Sequence, residues 1–566
     1  MLIPLKKPVK VKPTWYLIWG KTDFEPVGCT FSAPNQLTIV HIQPAFSPSQ
    51  QFVVAGDVWL SNRWELLGHL GVEPAKWLGT DNQLVAMLWE RWGVECLNYL
   101  QGMFSLAIWD QSRQKLSLAR DRTGARTLYY TTTNSTRTIA PRLKTLSPWH
   151  SNNLDLVALR DYLCCAFVPG ERTLWQQVRE LRPGTMLRFP DNKIDTYWQP
   201  QEEIKNADQP LEWHAQQLRV LLEQIVREYL PSNQPVGIYL SGGLDSSCVT
   251  ALAAKFHDAP IHTYSIHFGS DCPNELAFSN LVAQHCQTQH HILAITPETM
   301  WQQLNTTMAH LDNPIGDPLT VPNYLLAQQA KHDTQVILNG EGGDPCFGGP
   351  KNQPMLLSRL YSPKGHQTDL VSAYLNSFKK CSLDLPKLFR PNIWEIIKRE
   401  PSIFSTDLLA KTDYINRLML LNIKFKGADH ILTKVNNLTN SFELKGRSPL
   451  FDQRIVQMAM QIPPEYKLAG AQEKAVLKQA VVDLLPAEII KRPKSGMMVP
   501  VQFWFHRYWQ GKTRDLLLNR KAAIAPYLNQ KLIRNWLAYR EDSWSRYGVK
   551  LWLLVSLEIW LRVNKN

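Results

Sequence analysis

The stretch Leu240-Ser241-Gly242-Gly243-Leu244-Asp245-Ser246 has the residue types for holding a polyphosphate. An apolar run of strand length, residues 236–240, precedes it, and residues 248–255 suit a helix. A Gly-rich turn therefore joins a strand to a helix N-terminus. Backbone N–H groups there lack helical partners and the helix dipole adds positive potential, so the geometry favours an anion. Two glycines let the backbone approach a ligand closely. Asp245 adds a carboxylate that can hold Mg²⁺ beside the phosphates. A second stretch, Asn339-Gly340-Glu341-Gly342-Gly343-Asp344, puts another carboxylate beyond a predicted strand, on a Gly-rich turn. Asp245 and Asp344 can then share Mg²⁺ on a triphosphate. The spacing lacks the Gly-Lys-Ser/Thr ending of a Walker loop.

The elements that must position these residues alternate. Helices are expected over 211–230, 274–285 and 324–330, and strands over 236–240, 261–266, 291–293 and 335–338. That order predicts a parallel, doubly wound α/β sheet with ligands at the carboxyl ends of its strands, here Leu240, Ile266 and Asn339-Gly340. Ahead of it, strands are expected over 15–19, 37–40, 52–55, 103–109 and 115–119. Leu84, Met87, Leu88 and Trp92 mark one helix between them. Strand-rich patterning of this kind predicts an antiparallel, layered α+β domain. A length of 566 residues fits two domains, taken as 1–204 and 205–566.

The string Ser-Gly-Gly-Leu-Asp-Ser-Ser resembles the pyrophosphate (PP) loop of the ATP-pyrophosphatases, which cut ATP between its α and β phosphates and activate a carboxylate or carbonyl as an adenylate. Residues 102–110 with 119–130, Ala55-Gly56-Asp57-Val58-Trp59, Thr80-Asp81, and Arg182-Pro183-Gly184 with Tyr197-Trp198 resemble the glutaminase domain of asparagine synthetase. Residues 339–349, 444–452 and 491–497 resemble motifs of that family's synthetase domain. The resemblance covers nearly the whole chain. It implies an N-terminal-nucleophile-like glutaminase fold followed by an ATP-pyrophosphatase domain, with ATP and Mg²⁺ as cofactors. Carried over by motif, Leu240, Ile266, Asn339 and Gly340 would contact ATP. Glu341 would sit near the acyl-adenylate and the attacking amine, and Lys494 would stabilise charge on the phosphates.

Departures from the family shape the expectation. Position 2 is Leu2 where a nucleophilic Cys is usual, the first Cys is Cys29, and Gln36 stands for the Arg that grips the glutamine carboxylate. Ala55 and Asp57 replace Asn and Glu of the Asn-Gly-Glu element, and Pro345 replaces the Glu after Asp344. The glutaminase is therefore expected to be inactive. The chain is expected to be an ATP-dependent amide-forming ligase of the asparagine synthetase class, joining a small-molecule or peptide carboxylate to an amine. Isopeptide or macrolactam formation, as in the lasso-peptide cyclases, would bring a precursor peptide and its protease as partners. Ammonia-dependent amidation stands beside that reading; asparagine formation from aspartate is the alternative, and a non-catalytic scaffold a second. A scaffold would not require Asp245, Asp344 and Lys494 together.

Composition narrows the class further. Hydrophobic content of 44% and charged content of 20% are those of a globular chain. No window approaches ~18 consecutive apolar residues, so no membrane span is expected, and the lack of a secretory segment points to the cytoplasm. Nine scattered cysteines without a Cys-x-x-Cys pair suggest neither a disulfide framework nor a zinc site. The net charge of +13 has no basic block behind it beyond a short N-terminal run, which reads as a solvated surface rather than a nucleic-acid interface.

Overall fold

The computed structural model describes residues 14–21, 26–33, 36–133, 136–269, 272–349, 369–469, 472–493, 496–538 and 546–565. The N-terminal part is two six-stranded antiparallel sheets packed face to face. Strand Phe52–Leu60 pairs along its length with Gly102–Asp110, placing Ala55 opposite Ala107. The period-2 alternation of these strands sorts their side chains. Val53, Ala55, Ala107 and Trp109 fill the space between the sheets with Leu17 and Ile39. Val54, Phe104, Leu106 and Ile108 point the other way, onto Leu84 and Leu88 of helix Asp81–Trp92. That helix begins with a capping box between Thr80 and Gln83. The strand from Phe52 runs five residues beyond the expected 52–55, because Gly56 and Asp57 continue the ladder opposite Leu106 and Ser105.

The C-terminal part is built on five parallel strands, β1 (Val236–Tyr239), β2 (Ile261–His267), β3 (Gln289–Ala294), β4 (Val336–Asn339) and β5 (Lys445–Arg447). Their order is β3-β2-β1-β4-β5, so β1 and β4, which carry the two Gly-rich turns, are neighbours. Helix α1 (Leu244–Phe256) follows β1 directly and is buried over its first ten residues, as a helix packed on a sheet must be. Helix α2 (Tyr414–Leu421) continues through a π-helical stretch, Asn422–Leu432, into α3 (Thr433–Asn440). The C-terminal helix α4 (Tyr547–Asn564) is apolar on nearly every side and is buried accordingly. Its one buried acid, Glu558, accepts the backbone N–H groups of Ala523 and Ile524 and pairs with Arg562. Among the described residues no helix is long and apolar enough to cross a membrane.

Candidate functional site

The loop after β1 is held by its own serines. Ser246 Oγ donates to Gly243 O at 3.2 Å and accepts from Ser241 N at 3.2 Å, and Ser241 Oγ accepts from Gly243 N at 3.2 Å. Gly242 has φ +76°, and a Cβ there would lie 2.6 Å from Ser279 N, so both conformation and space require glycine. Arg492 clamps the loop from outside, donating to Gly242 O at 2.9 Å, pairing with Glu275 at 2.5 Å and stacking on Phe278.

The turn after β4 closes against this loop. A Cβ on Gly340 would meet Ser246 N at 2.4 Å and Asp245 C at 2.6 Å, so the two turns touch backbone to backbone. Asp344 was expected on a turn; it lies instead in the first turn of a short helix, Gly343–Phe347, because Gly342, at φ +116°, reverses the chain two residues earlier. Lys474 ties the two turns together. Its Nζ lies 2.6 Å from Asp245 Oδ2 and 2.5 Å from Asp344 Oδ1, with a side chain only 2% exposed. Its backbone is left-handed, φ 56°, a conformation that costs a non-glycine residue free energy and is kept where surroundings over-determine it.

A cleft of about 340 Å³ opens at the carboxyl ends of β1, β2 and β4. Leu240, Ser241, Gly243, Asp245, Ser246, Ile266, Asn339, Gly340, Glu341 and Asp344 line it. Two expected contacts do not: Gly242 is pressed against Phe278, and Leu244 is buried in the hydrophobic core beneath. Lys494 lies outside the described residues, although Gly496 and Met497 just beyond it reach the cleft.

The far wall was not legible in sequence. Lys426, His430 and Lys434, at four-residue spacing along the π-helical stretch and α3, face the cleft opposite Asp317. Lys434 Nζ donates to Asp317 Oδ2 at 2.8 Å, and His430 Nε2 lies 3.5 Å from the same oxygen. Burial works against the Asp317 charge, but Lys434 and His430 hold its carboxyl well below the usual carboxylate range. Burial pushes His430 down to about 4, so the ring is neutral at pH 7. Lys434 is raised despite burial, by Asp317 first and Glu341 after it. Arg492 stands within the motif 491–497 and Lys474 lies outside the motifs quoted above; only their partners across the fold single them out.

A second cleft, about 660 Å³, lies between the two parts of the chain and is lined by Gly56, Asp57, Arg126, Asn436 and Arg447. Asp57 pairs with Arg126 at 3.0 Å. Asp81 receives Arg63 at 2.5 and 2.8 Å and the N–H of Leu60 at 2.9 Å. Strand Tyr16–Trp19 runs inside its sheet between two partners, while Cys29 begins the edge strand. Gln36 lies at the hairpin between strands Cys29–Ala33 and Leu37–Val40.

Two family models match the chain: asparagine synthase over residues 217–562 and a glutamine amidotransferase domain over 36–198. Asparagine synthetase [glutamine-hydrolyzing] 1 of Bacillus subtilis is 26% identical over 86% of this chain and 81% of its own. Asparagine synthetase B [glutamine-hydrolyzing] of Escherichia coli is 23% identical over 82% and 73%. Among solved structures, an NH3-dependent NAD synthetase from Campylobacter jejuni aligns with 39% of this chain and 95% of its own, at 12% identity and a TM-score of 0.20.

Proposed function

This chain belongs to the asparagine synthase family and is an ATP-dependent, AMP-forming carbon–nitrogen ligase, and we propose that it joins a peptide-borne carboxylate to an amine, or to ammonia, without hydrolysing glutamine. The observation that carries this reading is the convergence of Asp245, Asp344 and Glu341 on one cleft beside the loop Ser241–Ser246. A carboxylate oxygen attacks the α-phosphorus of ATP and pyrophosphate leaves; the amine nitrogen then attacks the acyl carbon and AMP leaves. Backbone N–H groups of the loop and the dipole of α1 hold the phosphates. Asp245 and Asp344 suit Mg²⁺: they are hard oxygen donors within reach of one Lys474 ammonium, which stands where a cation would. A Cβ on Gly343 would sit 2.1 Å from Asp245 Oδ1, so the cradle needs that glycine. Mg²⁺ there would offset phosphate charge. Lys494 is assigned the α-phosphate, and Glu341 the incoming amine.

Three observations support a silent glutaminase. The Asp81 carboxylate, which in the family receives glutamine, is already engaged by Arg63 and by Leu60 N. Asp57 is likewise engaged by Arg126. Activating Cys29 by cleavage would remove Tyr16–Trp19 from the middle of its sheet. A carboxylate larger than free aspartate is favoured by Pro345, which lines the cleft with neither a charge nor an N–H to offer. Lys434 and the neutral His430 ring on the far wall already face Asp317. The second reading, asparagine from aspartate, draws on the relatives' names. The test is exchange of labelled pyrophosphate into ATP with aspartate or with Asp- and Glu-containing peptides, and a glutamate assay with glutamine present. Peptide-dependent exchange without glutamate release is expected. Exchange with aspartate alone, or glutamate release above that of a blank without protein, overturns the proposal.

A further inference from the structure

At the amino ends of the same parallel strands, away from both Gly-rich turns, three side chains meet that the ligase reaction does not use. His262 is the second residue of β2. His291 sits on the neighbouring edge strand β3, in register with Tyr264. Asp333 precedes β4 by three residues. His262 Nδ1 lies 3.1 Å from His291 Nε2, and His291 Nε2 lies 3.9 Å from Asp333 Oδ2. One ligand atom from each falls within 4.8 Å of the others. His262 is buried, whereas the His291 and Asp333 side chains are 33% and 23% exposed, which leaves a path in from solvent. His290, next in the chain, turns to the other face and bonds to Thr263 at 2.8 Å, so it is not a fourth member.

Two imidazoles and one carboxylate around a point open to water form a nitrogen-rich donor set. That set suits a borderline divalent cation of the zinc class and is poor for Mg²⁺, which takes oxygen. We propose that His262, His291 and Asp333 bind one such ion, with water completing its shell. In the ligand-free protein one of the two facing nitrogens carries a proton. On binding, the donor ring moves that proton to its other nitrogen, so both facing lone pairs reach the cation and no net proton is lost. Tyr264 supplies the outer support that metal-bound carboxylates commonly have: its hydroxyl donates to Asp333 Oδ2 at 2.8 Å, and its ring stacks on His291 at 4.9 Å. Tyr264 also lines the nucleotide cleft, so the ion would brace that wall from beneath.

The experiment uses the full chain, dialysed against chelator and then supplied with saturating Mg²⁺ to fill the carboxylate site. Co²⁺ is titrated in while visible d–d absorption is followed, and Zn²⁺ is added as competitor. One equivalent of Co²⁺ should give a nitrogen-ligand spectrum that Zn²⁺ abolishes. Asp245→Asn should leave the spectrum unchanged, whereas His291→Ala should weaken Co²⁺ binding by about tenfold or more. His291 is on an edge strand and partly exposed, so near-UV circular dichroism should confirm that variant's fold. Should it fail, Asp333→Asn, which keeps the oxygen facing Tyr264, gives the same reading. No spectrum in the native chain, or equal affinity in the native chain and a folded variant, overturns the site.

Discussion

Lys467 is fully buried, bonded to Asn416 Oδ1, and burial lowers its pKa from 10.5 to about 7. A lysine depressed in the folded state opposes folding most at low pH, where it must be charged in both states. Between about 7 and 10.5 the unfolded chain binds the extra proton, so stability rises with pH there, by up to about 1.4 kcal/mol per unit. Lys467→Met should flatten that slope; urea melts at pH 7, 8 and 9 on both proteins measure it, and parallel slopes would remove Lys467 as the cause. Lys494→Ala tests the residue assigned to the α-phosphate. Charge builds there only in the transition states, so turnover should fall by about 10²–10³ while ATP affinity holds. Pyrophosphate release and calorimetry check the split, and affinity collapsing in step with turnover would remove the assignment.

At the scale of elements, the site depends on two strand-to-helix turns meeting without side chains between them. Gly340→Ala puts a Cβ 2.4 Å from Ser246 N and 2.6 Å from Asp245 C, backbone atoms that cannot rotate away. Overpacking of that kind costs about 1–3 kcal/mol. ATP binding should weaken by about tenfold, roughly what 1.4 kcal/mol gives. The melting temperature should fall by no more than a few degrees, because strain of that size is small against the unfolding entropy of a chain this long. Isothermal calorimetry with a parallel thermal melt checks this, and unchanged ATP affinity would mean that the turns part freely. The π-helical stretch sets the angle at which Lys426 and His430 face the cleft, and such stretches often occur at functional sites.

At the scale of the molecule, buried ion pairs tie the N-terminal part to the C-terminal part. Asp429 accepts from Arg182 at 2.6 Å and from Gly170 N at 2.7 Å, and Asp312 accepts from Arg142 at 2.9 Å, Leu143 N and Asn437. Asp429→Ala leaves Arg182 without its counter-ion in a buried seam, a change that costs about 3–5 kcal/mol. Calorimetry should show one transition for the native chain and a lower melting temperature for the variant. Two separate transitions in the native chain would mean that the seam does not couple the parts.

The local chemistry of the Gly-rich turns was legible in residues because strand, glycine and carboxylate are neighbours in sequence. Asp245, Asp344, Glu341 and the cleft positions of β1, β2 and β4 follow from that pattern, as does the alternation that builds a parallel sheet. The period-2 strands of the first domain were legible for the same reason, although the strand through Gly56 and Asp57 proved longer than its hydrophobic run. Partners distant in the chain were not legible. Lys474 lies 229 residues from Asp245, yet its ammonium joins both carboxylates. Arg492 grips Gly242 from a similar distance. Asp317 meets Lys434, and His262 meets His291, only because strands and helices are folded side by side. Sequence determines what each short segment can bind; only the tertiary structure decides which charges end within hydrogen-bond reach, because long-range contacts are set by packing.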